Sequence, residues 1–282
     1  MPHLMLGWKI ALLGALALLV AGGLLALLRP TGPRGRAAVA AVRESGIVLG
    51  LFAVWQLAGT FAHHNAAGAA RRGQEILDAE ADVHLPSEHS VQHLIQGHDL
   101  VSQFCNAFYI YGHFNGLIIF LAWIFLRHRR LYPSVRMSVV LLTAGCFLFH
   151  LFLTVAPPRL LPHGGFVDTA AVYGQSVYGP TTIGLADQLS AFPSVHVGWA
   201  TLVAWYAWRA SPWRWGWVGV AHFVLTTFVV VATANHYWLD GFLAMGIFAV
   251  ALLLQATVPM LVRASRSRPP EPDPVEEPAL VS

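Results

Sequence analysis

Charged residues are scarce in this chain, and their scarcity excludes an ordinary soluble domain. Only 11% of its 282 residues are Asp, Glu, Lys or Arg, whereas soluble globular domains have roughly 25%. Hydrophobic residues account for 56%. Several stretches carry no charge over the roughly 20 apolar residues that a membrane-spanning helix needs. The composition therefore predicts an all-α, polytopic integral membrane helix bundle.

Cysteine is almost absent, which leaves no basis for a disulfide framework. Cys105 and Cys146 lie in different apolar segments, and we expect both to be free thiols. His89 and His93 are spaced like two metal ligands on one helical face, but no cysteine or third ligand completes a set. We therefore predict no metal and no cofactor, and we assign both histidines to the polar face of a surface helix.

Seven apolar segments are long enough to cross a membrane. They lie near residues 8–28, 46–63, 106–126, 137–156, 193–209, 215–233 and 236–260. The apolar core of the first exceeds the roughly 7–15 residues of a signal peptide, so we expect a retained helix. The chain then divides into an N-terminal helix with a basic cytoplasmic loop (1–44), a six-helix membrane domain (45–262) and a disordered, Pro- and charge-rich cytoplasmic tail (263–282).

Basic residues are distributed unevenly between the two sides of the predicted bundle. Seven crossings would place 13 of the 17 Lys and Arg residues on one side. Cytoplasmic loops are enriched in Lys and Arg, so the pattern predicts an outside N-terminus and a cytoplasmic C-terminus in the cell membrane. On the outer side, residues 88–105, with Ser87 as N-cap, have the pattern of a helix lying on the membrane surface. No motif indicates a nucleic-acid partner.

Three polar motifs, distant in sequence, reach the predicted outer side. They are APPRLLPHGGFVDT at 156–169, FPSVH at 192–196 and ANHYWLD at 234–240. Each alone has an ordinary explanation, as an interfacial loop, a helix start or a hydrogen-bonded cap. Ionisable residues at membrane depth are costly and often functional, so three such motifs on one face favour an active site.

Phosphoryl transfer through a phosphohistidine suits these residue types and spacings. Asp240, four residues after His236, can accept a hydrogen bond from one ring nitrogen and leave the other as nucleophile. His196 can protonate the departing oxygen and later activate an acceptor hydroxyl. Ser194 marks the free amides of a helix start, and Arg159 offers a donor fork suited to phosphate. None of these steps requires a divalent metal.

The motifs PSVH, HYWLD and the upstream PPR resemble those of the type 2 phosphatidic acid phosphatase superfamily. The branch that looks most similar contains the inositol phosphorylceramide synthases of the aureobasidin-target type. The resemblance covers residues 45–260 and implies a six-helix core, to which the first helix is an addition. It also implies that His236 is the nucleophile, Asp240 its orienting partner and His196 the acid–base. The serine and the arginine would then bind phosphate.

The chain departs from the usual phosphatase pattern in each motif. The first motif has only Arg159, where the phosphatases usually carry Lys and Arg. Val229 and Val230 stand where a Ser-Arg pair is usual, and Val195 stands where Gly is usual. Phosphate binding therefore rests on few cations, and a phosphodiester with one negative charge suits the site better than a monoester with nearly two.

Two further groups of polar residues could contact a substrate headgroup. Asp168, in GFVDT, is a candidate, although it could instead cap a turn. His113 belongs to a cluster near the outer end of the third helix, where polar and aromatic residues are common in any membrane protein. The cluster comprises Asn106, Tyr109, Tyr111, His113 and Asn115.

Together, these features indicate a membrane-embedded enzyme that acts on a phospholipid or a polyprenyl-type phosphate at the extracytoplasmic leaflet. The preferred reaction is transfer to an alcohol acceptor, like that of an inositol phosphotransferase. Three alternatives stay open: a lipid phosphate monoester phosphatase of the same superfamily, a non-catalytic lipid-binding or transport protein, and a His-rich metal-dependent membrane hydrolase.

Overall fold

The computed structural model describes residues 7–28, 32–59, 68–176 and 188–266, and most of these residues are helical. The helices are α1 Trp8–Leu27, α2 Pro33–Gly59, α3 Ala69–Asp82, α4 Glu88–His93, α5 Asp99–Ala107, α6 His113–Arg127, α7 Tyr132–Phe152, α8 Thr169–Val172, α9 Val195–Ala210, α10 Trp215–Ala232 and α11 Trp238–Arg266. A π-helical turn joins α5 to α6, and a 3-10 turn follows α7. The described part of the chain contains no β-strand.

Within the described residues, six helical stretches are long and apolar enough to cross a membrane, so the chain is an integral membrane protein. They are α1, most of α2, the continuous stretch from α5 to α6, α7, α10 and most of α11. The seventh predicted segment forms α9, which has 16 residues and is therefore about 24 Å long. A hydrocarbon core is about 30 Å thick, so α9 is shorter than the core. Non-helical chain next to α9 can therefore lie at membrane depth. The predicted fold class, an all-α membrane bundle, is confirmed.

Two predicted helix boundaries were wrong. Helix α2 begins at Pro33 rather than near residue 46, because a proline in the first turn of a helix has no N–H that would need a partner. Most of the loop predicted before residue 45 is therefore helical. The predicted surface helix is interrupted at Gly97, whose φ is 79°, and α5 then continues into the membrane helix α6.

Three smaller expectations from the sequence have different outcomes. Ser87 does occupy the N-cap position of α4, but its side chain makes no capping hydrogen bond. The predicted disordered tail falls mostly on residues 267–282, which lie outside the described residues. Cys105 and Cys146 are buried free thiols, as expected.

The main apolar core lies between α6, α7, α9 and α11. Its fully buried members include Ile124 of α6, Leu142 of α7, Leu202 of α9 and Ala244 of α11. Helix α10 packs closely on α9 at Gly219, where a Cβ atom would lie 2.9 Å from the side chain of Ala207. The starts of α9 and α11 are thus held by the same core.

Helices α1 and α2 form a separate pair beside this core. Gly22 of α1 packs on Arg43 of α2, where a Cβ atom would lie 2.5 Å from the arginine side chain. The pair is joined to the core by Glu44, which forms an ion pair with Arg136 of α7 and accepts a hydrogen bond from the Tyr132 hydroxyl at 3.1 Å.

The short helices α3 and α4 hold the segment that begins α11. The Tyr237 hydroxyl donates to the carbonyl of Ala156 at 2.6 Å, and burial raises the pKa of Tyr237 above its ordinary value, so the hydroxyl keeps its proton. Both groups lie against Gly73 of α3, where a Cβ atom would come within 2.8 Å of that carbonyl. Nε1 of Trp238 donates to the carbonyl of Pro86 at 2.7 Å.

A buried carboxyl of α3 accepts from the first turn of α11. The backbone N–H of Leu239 donates to Oε1 of Glu80 at 2.6 Å. Glu80 and Glu88 are only 2% and 3% exposed. Burial and then the neighbouring Glu88 raise the pKa of Glu80 to about 9, so Glu80 is protonated and uncharged at neutral pH.

This raised pKa predicts that stability depends on pH. An unfolded glutamate has a pKa of 4.5, so between pH 4.5 and about 9 unfolding releases the proton that Glu80 holds. The contribution of Glu80 to stability is therefore complete below pH 4.5 and is lost as the pH rises towards 9. Glu80→Gln, which mimics the protonated acid, should leave the Tm near wild type at pH 5 and raise it above wild type at pH 8.5.

Differential scanning calorimetry in detergent measures this effect. Glu75→Gln, at an exposed position of the same helix, removes a formal negative charge and should give the same small change at both pH values. A Glu80→Gln protein that loses stability equally at pH 5 and pH 8.5 would show that Glu80 acts as a carboxylate.

Candidate active site

His236 lies in the turn between α10 and α11, where Ala234 has a φ of 52°. Its Nδ1 lies 2.9 Å from the carbonyl oxygen of Ala191 and 3.0 Å from Oδ2 of Asp240. A carbonyl oxygen can only accept a hydrogen bond, so Nδ1 must carry the ring proton. In the neutral imidazole, Nε2 of His236 therefore keeps its lone pair.

Asp240 is completely buried and joins the starts of α9 and α11. Its Oδ2 accepts from the ring of His236 and from the backbone N–H of Tyr237, each at 3.0 Å. Its main-chain carbonyl accepts from the N–H of Ser194 at 3.1 Å. The i, i+4 spacing of His236 and Asp240 brings their side chains together at the beginning of α11.

His196 stands in the first turn of α9, directly opposite His236. Nδ1 of His196 lies 3.2 Å from Nε2 of His236. Because that Nε2 has a lone pair and no proton, Nδ1 of His196 is the donor in this hydrogen bond. The arrangement places a proton-bearing group next to a nitrogen that can act as a nucleophile.

Ser194 is the N-cap of α9. It is fully buried, and its Oγ accepts from the backbone N–H of Val197 at 3.3 Å. The side chain thus stabilises the helix start that carries His196. Ser194 thus lies at the helix start, and its role in binding phosphate stays a prediction.

Arg159 is fixed next to the His236 turn by its backbone and its side chain. Its N–H donates to the carbonyl of Ala234 at 3.0 Å, and its Nε donates to Oδ1 of Asn235 at 2.8 Å. Its Nη1 lies 3.2 Å from Oδ2 of Asp168 and 3.4 Å from Oε1 of Gln188. The guanidinium is therefore oriented before any substrate binds.

Asp168 has two structural contacts at once. Besides its ion pair with Arg159, its Oδ1 accepts from the N–H of Ala171 and caps α8. Both readings of Asp168 from the sequence, a cap and a residue at the site, are compatible with this position.

Two aromatic rings from the junction of α5 and α6 enclose His196. Tyr109 stacks on it with ring centroids 4.5 Å apart and planes 22° apart, and His113 contacts it at 4.7 Å. Tyr109 lies in the π-helical turn Phe108–Gly112, and His113 follows it. Such π-turns are frequent at functional sites.

A polar recess opens beside this cluster. Its polar lining consists of Asn106, Tyr109, Arg159, Asp168, Gln175 and Asn235. The one formal positive charge of this lining is opposed by one formal negative charge, and the remaining groups are neutral hydrogen-bonding side chains. The polar recess is suited to an uncharged polar group more than to a strongly charged one.

All seven residues predicted to form the site lie in one connected cluster. They are Arg159, Asp168, Ser194, His196, His236, Asp240 and His113. Sequence reasoning missed the Ala191 carbonyl, Asn235 and Gln188. Asn235 could have been noticed because it directly precedes His236, but a backbone carbonyl leaves no signal in a sequence.

Comparison with known proteins identifies the family. A model of the PAP2 superfamily matches residues 74–255. The chain belongs to the PAP2 superfamily. Neither the curated proteins nor the solved structures gave a match. Membership of the PAP2 superfamily supports phosphatase or phosphotransferase chemistry, and the matched range contains all seven predicted site residues. Helices α1 and α2 lie outside the PAP2 match.

Proposed function

We propose that this PAP2 protein is a lipid phosphotransferase that works through a phosphohistidine at His236. The observation that carries the proposal is the pair of acceptors, Ala191 O and Asp240 Oδ2, at Nδ1 of that ring. They hold the proton on Nδ1 and leave Nε2 as the nucleophile. Nδ1 of His196 lies 3.2 Å from this nitrogen and can supply the proton that the leaving oxygen requires.

In the first step, Nε2 of His236 attacks the phosphorus atom of the donor lipid. The bond from phosphorus to the leaving oxygen breaks as the new nitrogen–phosphorus bond forms, and the leaving oxygen takes the Nδ1 proton of His196, which enters the step as an imidazolium and leaves it neutral. The ring of His236 then carries both the phosphoryl group and its Nδ1 proton, and is positively charged. The adjacent Asp240 carboxyl stabilises this charge in a buried setting.

In the second step, an alcohol attacks the phosphohistidine. His196 takes the proton of the alcohol as the new oxygen–phosphorus bond forms, and the nitrogen–phosphorus bond breaks. His196 and His236 both return to their starting protonation, so the cycle is balanced without an external acid or base. Water can replace the alcohol in this step, and hydrolysis is then a slower competing reaction.

The charge around the site favours a phosphodiester donor. Arg159 contacts Asn235, the residue before His236, and Asp168 already opposes its charge. Val229 and Val230, at the positions where related phosphatases usually have Ser and Arg, are buried and apolar. A phosphodiester brings one negative charge and a monoester nearly two, and unmatched charge is expensive in a low-dielectric site.

Two other basic residues on the same predicted side of the membrane add no positive charge next to His236. Arg71 pairs with Glu75 at 2.7 Å on an exposed helix face. Arg72 donates to the carbonyl and hydroxyl oxygens of Thr154 at 2.6 and 2.8 Å. Both side chains are thus engaged away from His236, and the donor meets a site with little positive charge.

We place the active site at the extracytoplasmic leaflet of the cell membrane, with the N-terminus outside and the C-terminus in the cytoplasm. Four groups of arginines lie in or next to the connections from α1 to α2, from α6 to α7 and from α9 to α10, and at the end of α11. In a bundle with seven crossings, these four positions are on one side of the membrane, and the three site motifs are on the other side. Cytoplasmic connections are the ones enriched in arginine.

Substitution of the three central residues tests the mechanism. His236→Ala should abolish turnover because no other group replaces the nucleophile. His196→Ala should lower kcat by about 10²–10⁴-fold, the usual contribution of a general acid–base. Asp240→Asn should have a severe but smaller effect than His236→Ala, because the carbonyl of Ala191 still holds the Nδ1 proton.

The measurement is turnover of a labelled phospholipid by purified protein in mixed micelles. His163→Ala, at an exposed loop position, is the matched control and should keep full activity. Near-normal turnover by folded His236→Ala protein would refute the mechanism.

The identity of the donor is tested by comparing diesters with monoesters. Phosphatidyl diesters should be consumed faster than phosphatidic acid or a polyprenyl phosphate. Added alcohol, inositol among the candidates, should raise the transfer product and lower the amount of free headgroup. Asp168→Asn, which keeps a capping oxygen and removes the charge opposing Arg159, should shift the preference towards monoesters.

Thin-layer separation of the labelled products gives the ratio of transfer to hydrolysis. Fast hydrolysis of monoesters with no diester activity would instead identify a lipid phosphate phosphatase. An Asp168→Asn protein with an unchanged preference would show that charge matching does not set the donor.

The proposed orientation predicts which added cysteines react from outside the cell. His163→Cys should be labelled by a membrane-impermeant maleimide in intact cells, whereas Arg129→Cys should be labelled only after lysis. The two native cysteines are buried and serve as the background. The reverse labelling pattern would place the active site in the cytoplasm.

A further inference from the structure

His113 is buried beside the reacting pair without a hydrogen bond. It is 3% exposed, and neither of its ring nitrogens has a partner among the described residues. A neutral imidazole has one N–H donor and one acceptor nitrogen. Leaving both unsatisfied in a buried place is costly, and such a group calls for an explanation.

Stacking, rather than hydrogen bonding, sets the orientation of this ring. The ring of Trp199 is parallel to it within 6°, with centroids 5.6 Å apart, and the ring of His222 is parallel within 8° at 6.0 Å. The indole of Trp199 is itself fixed, because its Nε1 donates to Oγ1 of Thr143 at 2.9 Å. Two parallel rings thus contact His113, while both of its buried nitrogens are left without a hydrogen bond among the described residues.

The neighbour of His113 on the active-site side is His196. The two ring centroids are 4.7 Å apart, and His196 in turn contacts Nε2 of His236 at 3.2 Å. A phosphoryl group bonded to that nitrogen must enter where His196 now donates. His113 is therefore one ring away from the place where phosphoryl oxygens arrive.

We infer that His113 is a phosphate-binding residue whose N–H donates to a phosphoryl oxygen of the bound lipid. The inference rests on the proposed function, since it assumes a phosphoryl group on His236. It also accounts for two departures from the phosphatase pattern, because Val229 and Val230 offer no side-chain donor. A neutral N–H supplies a hydrogen bond without adding positive charge, which agrees with a singly charged donor.

A proton relay through His113 is not needed by the reaction. His196 gives one proton to the leaving oxygen and recovers one from the acceptor alcohol. No net proton has to leave the site through neighbouring rings. Contact with the phosphoryl group is the role that satisfies an unpartnered N–H.

Three variants separate binding from stability. His113→Phe keeps a flat ring for the stack and removes both unpartnered nitrogens, so its Tm should stay within a few degrees of wild type. Its kcat/KM for the donor lipid and its affinity for orthovanadate should each fall by about 10–150-fold, the range for a hydrogen bond to a charged group. His113→Asn, which keeps an N–H donor, should recover part of both.

The matched control is His222→Phe. His222 also has an unpartnered buried Nε2, but its ring contacts among the described residues are with Phe108 and His113, and none joins it to His196 or His236. Its replacement should leave kcat/KM and vanadate affinity unchanged.

The outcomes distinguish this inference from the proposed function. Wild-type protein that neither turns over lipid nor binds vanadate would refute both. Active wild-type protein together with an unchanged His113→Phe variant would overturn the inference alone. A His113→Phe protein that loses activity with unchanged vanadate affinity, or that fails to fold, would also overturn it, because His113 would then act on structure or on His196.

Discussion

The proton on Nδ1 of His236 is the constraint on which the rest of the site depends. One of its two acceptors is the carbonyl of Ala191, which cannot donate, so the tautomer is fixed by the backbone as well as by Asp240. In the neutral ring, a free lone pair at Nε2 follows from this constraint. Three chain segments must meet within hydrogen-bonding distance for it to hold: the residues before α9, the turn before α11 and the first turn of α11.

The surrounding structure keeps these segments together through hydrogen bonds that pair most of the buried polar groups. Buried polar groups destabilise a membrane protein unless they are paired, and here most of them are. The N–H of Ser194 binds the main chain of Asp240, the N–H of Leu239 binds Glu80, and the hydroxyl of Tyr237 binds Ala156. Helix α3 thus has a structural role near the site even though it supplies none of the residues that react.

The sequence was sufficient for the fold class, and the seven residues it proposed for the site lie together in the structure. Long uncharged runs predict membrane helices, and the spacing from His236 to Asp240 predicts their contact. The sequence was insufficient where the contacts of a residue depend on side chains that are distant along the chain. The pairing of Arg159 with Asp168 depends on the fold of the loop after α7, and Ser194 can cap or bind phosphate with the same local sequence. The early start of α2 was missed because arginines suggested a loop, although arginine is a good helix former.

The central claim is a covalent bond between His236 and phosphorus, and trapping that bond is the most direct test. The protein is mixed with a lipid donor labelled at phosphorus, quenched in alkaline detergent within milliseconds to seconds, digested and mapped by mass spectrometry. We expect acid-labile, base-stable label on the peptide containing His236, with no label in His236→Ala protein. Label on a different residue, or continued transfer without any labelled protein under single-turnover conditions, would contradict it.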